Sequence, residues 1–199
     1  GERVPYTVAA PKVAAASPAP VPLSGNFTWR DEFDSGAAKP APLWLMLRTP
    51  KETWWSLTEP KGSLSLTPRP ESLDGLGNPA FFGRRLQHAK FATSLALAPA
   101  TAADVSAGLA LFQNEEHYYY LGVRRTAGGL ALFLELADGG KPTTVARTAL
   151  PAAAQVELRI TGEELVGSFE YRLDGGAWQP LLAAADLKPI TAKAAGDGM

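Results

Sequence analysis

The chain has 199 residues, which is enough for one large domain or two small ones. Hydrophobic residues make up 46% of the sequence and charged residues 20%, a composition typical of a globular protein with a packed core. The 19 basic and 20 acidic side chains give a formal net charge of -1, which argues against nucleic acid as a partner. Cysteine is absent, so disulfides, thiolate metal sites and cysteine nucleophiles are excluded.

The N-terminal part of the sequence differs in composition from the rest. Its first 23 residues contain five prolines among alanines, which disfavour both helices and central strands. We interpret residues 1–23 as a linker or extended segment and residues 24–199 as one domain. No apolar run approaches the roughly 18 residues of a membrane span, so we expect no membrane partner. The sequence does not determine the compartment, and of the alternatives we favour a periplasmic or secreted location.

Apolar residues alternate with other residues from Phe27 onward, which is the period of a β-strand. The clearest case is residues 130–136, where four leucines fall on one strand face that should belong to the core. Similar alternation, or a short apolar run, predicts further strands at residues 91–97, 107–112, 118–123, 156–160 and 169–173.

Glycine-rich turns separate these runs and predict that most strands are hairpin neighbours. The turns are Gly128-Gly129, Asp138-Gly139-Gly140 and Asp174-Gly175-Gly176. One short helix is expected over 181–187, between two prolines. The pattern predicts an all-β protein, a two-sheet antiparallel β-sandwich with at most one short helix. After Trp178 no last apolar strand is apparent, and we expect the native chain to continue beyond Met199.

The sequence contains few of the residue patterns that enzymes use for catalysis. There are two histidines and no Gly-x-Ser-x-Gly elbow, which argues against a catalytic triad. Carboxylates such as Glu115 and Glu116 could flank a sugar in a cleft, but no spacing pairs them, and acidic residues are exposed by default. Asp31 and Asp34 are the candidates for a structural calcium ion, although the segment lacks the glycine and distal glutamate of a helix-loop-helix site. No other cofactor is predicted.

Two aromatic segments are candidates for binding. Trp54 and Trp55 could stack on a sugar ring, but adjacent strand residues point to opposite faces, so we expect one of them in the core. The second segment concentrates aromatic, cationic and amide groups, which suggests an interface or cleft; an exposed edge strand is the alternative. Its candidate residues are Phe81, Phe82, Arg84, Arg85, Gln87 and His88.

From about Phe27 to Trp178 the chain resembles a known family, and the order and spacing of several segments carry the likeness. The segments are Arg30-Asp31-Glu32-Phe33-Asp34 at the first strand, Trp44-x-x-x-Arg48-x-Pro50, Gly62-x-Leu64-x-Leu66, Arg84-Arg85-x-Gln87-His88, Ala107-Gly108-Leu109 with Phe112-x-Asn114, Tyr118-Tyr119-Tyr120-Leu121, and Tyr171-x-x-Asp174-Gly175-x-x-Trp178. Together they resemble the C-terminal concanavalin-like β-sandwich domain of family 43 glycoside hydrolases, chiefly β-xylosidases and α-L-arabinofuranosidases.

The resemblance implies that the catalytic carboxylates belong to an N-terminal propeller domain of the same protein, the expected partner. It also implies that a loop of the sandwich packs against the propeller and places an aromatic side chain at the rim of its pocket. Phe81 matches that position, with Phe82 next. Xylo-oligosaccharide or arabinoxylan is the implied substrate. Family members usually have a further strand beyond the point where this sequence ends.

Three functional hypotheses follow. The first is a non-catalytic accessory module that braces a xylosidase-like catalytic domain and shapes its pocket through Phe81 and residues 84–88. The second is an independent carbohydrate-binding module that grips xylan or arabinoxylan through Trp54 or Trp55. The third is a stand-alone concanavalin-like hydrolase. We favour the first, because no complete active site is visible in the sequence.

Overall fold

Nearly all regular structure is β-strand in the computed structural model, which describes residues 28–99, 102–151, 153 and 155–196. A short pair is formed by β1 (Trp55–Ser56) and β2 (Ser65–Leu66). The other strands are β3 (Lys90–Leu97), β4 (Ser106–Asn114), β5 (His117–Thr126), β6 (Gly129–Asp138), β7 (Thr143–Leu150), β8 (Val156–Glu163), β9 (Val166–Leu173) and β10 (Gln179–Asp186). A 3-10 helix covers Lys188–Ile190. In the described residues, no helix has the length and hydropathy to cross a membrane.

The eight longer strands form two four-stranded antiparallel sheets. Sheet A has the order β10-β9-β8-β3, and sheet B has the order β4-β5-β6-β7. Their inner faces meet in one core, in which Leu132 and Leu134 of sheet B join Leu158, Ile160 and Phe169 of sheet A. All five side chains have no exposed area. The predicted antiparallel β-sandwich is therefore confirmed.

The turns follow from backbone conformations that glycine adopts without a steric cost. Gly139 and Gly175 both have a φ of 75°, at the β6–β7 and β9–β10 turns respectively. Gly129 has a φ of 128° where β5 turns into β6. The three glycine-rich turns expected from the sequence are confirmed as hairpin connections.

The helix predicted for residues 181–187 is wrong, because most of this segment belongs to strand β10. Its backbone pairs with β9, from Gln179 opposite Tyr171 to Asp186 opposite Val166. Pro180 is tolerated because β10 is an edge strand. Two register shifts and a φ of 53° at Ala184 interrupt the period-two alternation of side chains that would have identified a strand. The expected absence of a strand after Trp178 is wrong for the same reason.

Two other parts of the chain differ from the sequence-based expectations. Strand β7 was not predicted, because its edge position leaves most of its side chains exposed and its apolar pattern weak. Residues 30–34, expected at the first strand, form no strand.

The chain divides into two units after Glu32, and residues 28–32 of the first unit contain an ion pair between Arg30 and Glu32. The predicted linker at 1–23 lies outside the described residues.

A tyrosine buried between the two sheets connects the interior strand β5 of sheet B to the edge strand β10 of sheet A. The Tyr119 hydroxyl of sheet B donates a hydrogen bond of 2.8 Å to the backbone oxygen of Asp186 in sheet A, and its ring lies 4.9 Å from that of Phe169. The neighbouring Tyr120 points to the opposite face of sheet B, where its hydroxyl lies 3.2 Å from the Ser106 Oγ.

We expect Tyr119→Phe to lower the free energy of unfolding by about 1–2 kcal/mol, because a hydrogen bond to a backbone carbonyl between the sheets is lost. Tyr120→Phe, which removes an exposed hydrogen bond from the adjacent residue, should cost less than about 0.5 kcal/mol. Urea denaturation of both variants measures the difference. Equal losses would show that the Tyr119 hydroxyl does not connect the two sheets.

Candidate functional site

Residues 33–89 form a layer that contacts the outer face and rim of sheet B. Side chains alternate along the strands, so Phe112 and Tyr118 point away from the core that Leu111 and Tyr119 enter. The Phe81 ring lies 5.7 Å from the Phe112 ring, which stacks on Tyr118 at 5.9 Å. This layer carries all of the aromatic and cationic candidates at Trp54, Trp55 and residues 81–88.

An aromatic cluster holds the layer together around Phe82. The Phe82 ring lies 5.6 Å from Trp44 and 5.8 Å from both Trp54 and Trp55. Trp44 in turn stacks on Phe33 at 5.6 Å. Such tilted and edge-to-face contacts are the preferred geometries of aromatic pairs. Phe82 therefore has a structural position inside the layer.

The structure separates the two sugar-stacking candidates. Trp54 is only 2% exposed, and its indole nitrogen donates a hydrogen bond of 3.2 Å to the Asn78 Oδ1. A sugar cannot stack on a ring that is buried in this way. Trp54 is therefore a core residue and is no longer a candidate for sugar stacking. Trp55 is half-buried in β1 and makes an edge contact with Trp54 at 5.0 Å, which leaves it only partly accessible.

Phe81 is half-buried and lies over the backbone of Gly83. A Cβ atom at residue 83 would come within 2.3 Å of the Phe81 ring, so a side chain there would displace it. Gly83 itself forms an antiparallel bridge with Leu45, with both N–H···O distances at 2.8 Å. Phe81 is thus held against the layer by Phe112 on one side and the Gly83 backbone on the other.

The chain following Gly83 lies on the surface. Residues 84–88 form no strand, and the four polar candidates Arg84, Arg85, Gln87 and His88 are exposed. Three large apolar side chains in the same part of the layer are also exposed: Leu43 at 56%, Leu45 at 42% and Leu86 at 56%. We call the surface formed by Leu43, Leu45, Phe81 and residues 84–88 the docking face. Its mixture of exposed leucine and arginine is typical of protein interfaces.

Sequence reasoning missed a second feature of this layer, the loop 72–78. Leu76 in this loop is 83% exposed, the highest value among the large apolar side chains of the described chain. Arg48 fixes the loop by donating a 2.7 Å hydrogen bond to the backbone oxygen of Gly77, and its other nitrogen pairs with Glu115. The glycines on both sides of Leu76 were the available signal, because they indicate a sharp turn.

Three hydrogen bonds hold the base of loop 72–78. Asn78 receives the Trp54 indole bond and donates from its own side chain to the backbone oxygen of Arg48 at 3.2 Å. Arg69 donates a 2.7 Å hydrogen bond to the backbone oxygen of Asn78. The loop is therefore fixed through its backbone and Asn78, and the Leu76 side chain does not contribute to these bonds.

Asp74 is the charged residue of loop 72–78. Its side chain is 14% exposed and lies 2.6 Å from the amino group of Lys141, in the turn between β6 and β7. Hydrogen bonds from Lys141 and Ser72 hold the pKa of Asp74 below its usual value. Burial raises the pKa values of Tyr118 and Glu135 on the outer face of sheet B, and the charge of Asp74 raises both further.

No aspartate or glutamate among the described residues is buried as a whole. The one polar side chain there that is buried as a whole is His117, whose Nδ1 lies 3.1 Å from the Asn114 Oδ1. No group of three or more histidine, aspartate or glutamate side chains in the described ranges could hold a metal ion. A structural calcium ion at Asp31 and Asp34 stays a prediction.

The sequence matches one protein family over residues 30–199, described as the β-xylosidase C-terminal concanavalin A-like domain. The chain belongs to this family. A non-reducing end α-L-arabinofuranosidase of Bacteroides ovatus is 28% identical over 145 residues, which are 72% of this chain and 27% of that protein. A xylosidase/arabinosidase of Butyrivibrio fibrisolvens is 39% identical over 71 residues, 35% of this chain and 14% of that protein.

A solved structure agrees with this assignment. A GH43_12 protein retrieved from the capybara gut metagenome superposes with a TM-score of 0.74 at 26% identity, covering 84% of this chain and 33% of that one. The chain thus spans about a third or less of the proteins it matches. The expected relation to the C-terminal domain of family 43 glycoside hydrolases is confirmed.

We expect Arg48→Met to loosen loop 72–78, because the loop loses its anchoring bond and Glu115 loses its ionic partner. Hydrogen exchange of the amides at 72–78 should become at least tenfold faster, which mass spectrometry measures. Lys90→Met is the matched control, since it removes only an ion pair with Glu163 in sheet A whose lysine is 77% exposed. Unchanged exchange in Arg48→Met would contradict the anchoring role of Arg48.

Proposed function

We propose that this chain is a non-catalytic accessory module of a β-xylosidase-like family 43 glycoside hydrolase. In this proposal the docking face and loop 72–78 pack against the catalytic propeller of the same protein and narrow its sugar pocket. The observation that carries the proposal is the exposure of Leu76 at 83% on a loop fixed by Arg48, Arg69 and Asn78. A rigid apolar projection binds a partner with little entropic cost.

The composition of the docking face supports a protein partner. Leu43, Leu45 and Leu86 offer apolar contact area, and Arg84 and Arg85 offer charged donors at its rim. Phe81, the position matched to the pocket-rim aromatic, is the half-buried member of this face. Leu76 is more exposed than Phe81, so we propose that both contribute, with Leu76 reaching further toward the pocket.

The sugar substrate and the location are parts of the same proposal. Xylo-oligosaccharide or arabinoxylan is proposed because the matched relatives are named as xylosidase and arabinofuranosidase. We also propose a periplasmic or secreted location for the protein. The alternative of an independent module that binds sugar through Trp54 or Trp55 loses the first of these residues, because Trp54 is buried.

In the full-length parent enzyme, Leu76→Asp should raise KM for nitrophenyl xyloside by about tenfold or more, because loss of an apolar contact at a pocket costs about 1–3 kcal/mol. Phe81→Ala should act in the same direction. Leu165→Asp is the control, since Leu165 is 41% exposed between β8 and β9, outside the docking face and loop 72–78. Steady-state kinetics measures all three. Wild-type KM and kcat in both Leu76→Asp and Phe81→Ala would refute the proposed role in the pocket.

A further inference from the structure

We infer that the outer face of sheet A carries a separate sugar-binding surface, on which the Trp178 ring stacks against a neutral β-linked pyranose chain. This surface lies on a different sheet from the docking face. It rests on the proposed function in one respect only, the choice of a xylan chain as the ligand. The geometry that carries it is independent of the propeller.

Two ion pairs between neighbouring strands form the base of this surface. Glu157 and Arg172 lie opposite each other in the β8–β9 register, and so do Arg159 and Glu170. The Arg172 Nη2 lies 2.6 Å from Glu157, and the Arg159 Nε lies 2.7 Å from Glu170. These residues alternate with the core residues Leu158 and Ile160, so all four side chains point outward.

The Trp178 ring rests on both guanidinium groups. Its centroid lies 4.2 Å from the Arg159 Cζ and 4.7 Å from the Arg172 Cζ. A cation over an aromatic face attracts the ring, and each cation is itself held by a carboxylate. The indole is therefore fixed in orientation from the side of the sheet while the residue keeps part of its surface exposed. A preorganised ring loses little entropy when a ligand stacks on it.

The strand beside this platform leaves room for a ligand. β3 pairs with β8 so that Ser94 lies opposite Arg159 and Ala96 opposite Glu157. Ser94 and Ala96 are exposed, and neither rises far above the sheet. A chain of sugar rings can thus extend from Trp178 over the ion pairs of β8 to β3, where Ser94 and Ala96 present no large side chain.

The chemistry of the surface favours a neutral, hydroxyl-rich ligand. The two arginines and two glutamates cancel in charge, so an ionic polymer gains no net attraction. Hydroxyl groups can both donate to carboxylate oxygens and accept from guanidinium nitrogens, which have hydrogen-bonding capacity beyond a single ion pair. The apolar C–H face of a pyranose suits the indole ring.

Isothermal titration calorimetry with xylohexaose and the 199-residue chain tests this inference. We expect saturable binding at micromolar to millimolar concentration, a loss of at least tenfold in affinity for Trp178→Ala, and a smaller loss for Trp178→Phe. Ser94→Arg should also lose at least tenfold, because it adds bulk beside the platform without removing the indole. Val145→Arg, at a 43% exposed position of sheet B, is the matched control and should bind as wild type.

Thermal unfolding of each variant shows whether it is folded, and Ser94→Arg decides the question if Trp178→Ala is not. Absence of binding by the wild type at millimolar xylohexaose would overturn the inference. So would a loss of binding in Trp55→Ala with none in Trp178→Ala or Ser94→Arg. Neither result bears on the kinetics of the Leu76 and Phe81 variants, so a failure here is distinguishable from a failure of the proposed function.

Discussion

Burial of both faces of sheet B is the constraint on which the rest of the structure depends. Along β5 and β6, Leu121 and Leu134 enter the core between the sheets, while Tyr118 and Phe133 on the opposite face are only 2% and 3% exposed. A sheet that is apolar on both sides needs a cover on each. Sheet A covers the inner face, and the layer of residues 33–89 contacts the outer one through Phe81. The docking face and loop 72–78 belong to this layer.

A strand could be predicted from the sequence when one of its faces is buried. Strands such as β6 and β8 were predicted because one face enters the core, so that leucine, isoleucine and valine recur with period two. The edge strands β7 and β10 bury fewer side chains and pair through their backbones, which leaves little trace in side-chain identity. In β10 the alanines also favoured a helical interpretation, and pairing with β9 overrode that local preference.

The candidate site was predictable in part. Residues 81–88 stood out because aromatic, cationic and amide groups are concentrated there, and the structure places them in a surface layer. Leu76 could not be found in this way, since a single leucine between two glycines has no period and its exposure depends on hydrogen bonds from residues distant in sequence, such as Arg48. The position of Trp178 likewise depends on a distant residue. Arg159 is 19 residues earlier in the sequence and contacts the Trp178 ring only in the folded sheet.

The way in which loop 72–78 is attached has a consequence for how such modules diversify. The contacts that shape the loop go to main-chain oxygens, to Asn78 and to Asp74, and none of them uses the side chain at position 76, so the identity of that side chain is independent of folding. One codon can therefore be exchanged for a smaller, larger or aromatic residue while the scaffold stays intact. Under the proposed role of position 76 at the sugar pocket, a lineage of enzymes can in this manner sample different substrate preferences without first acquiring compensating changes in its core.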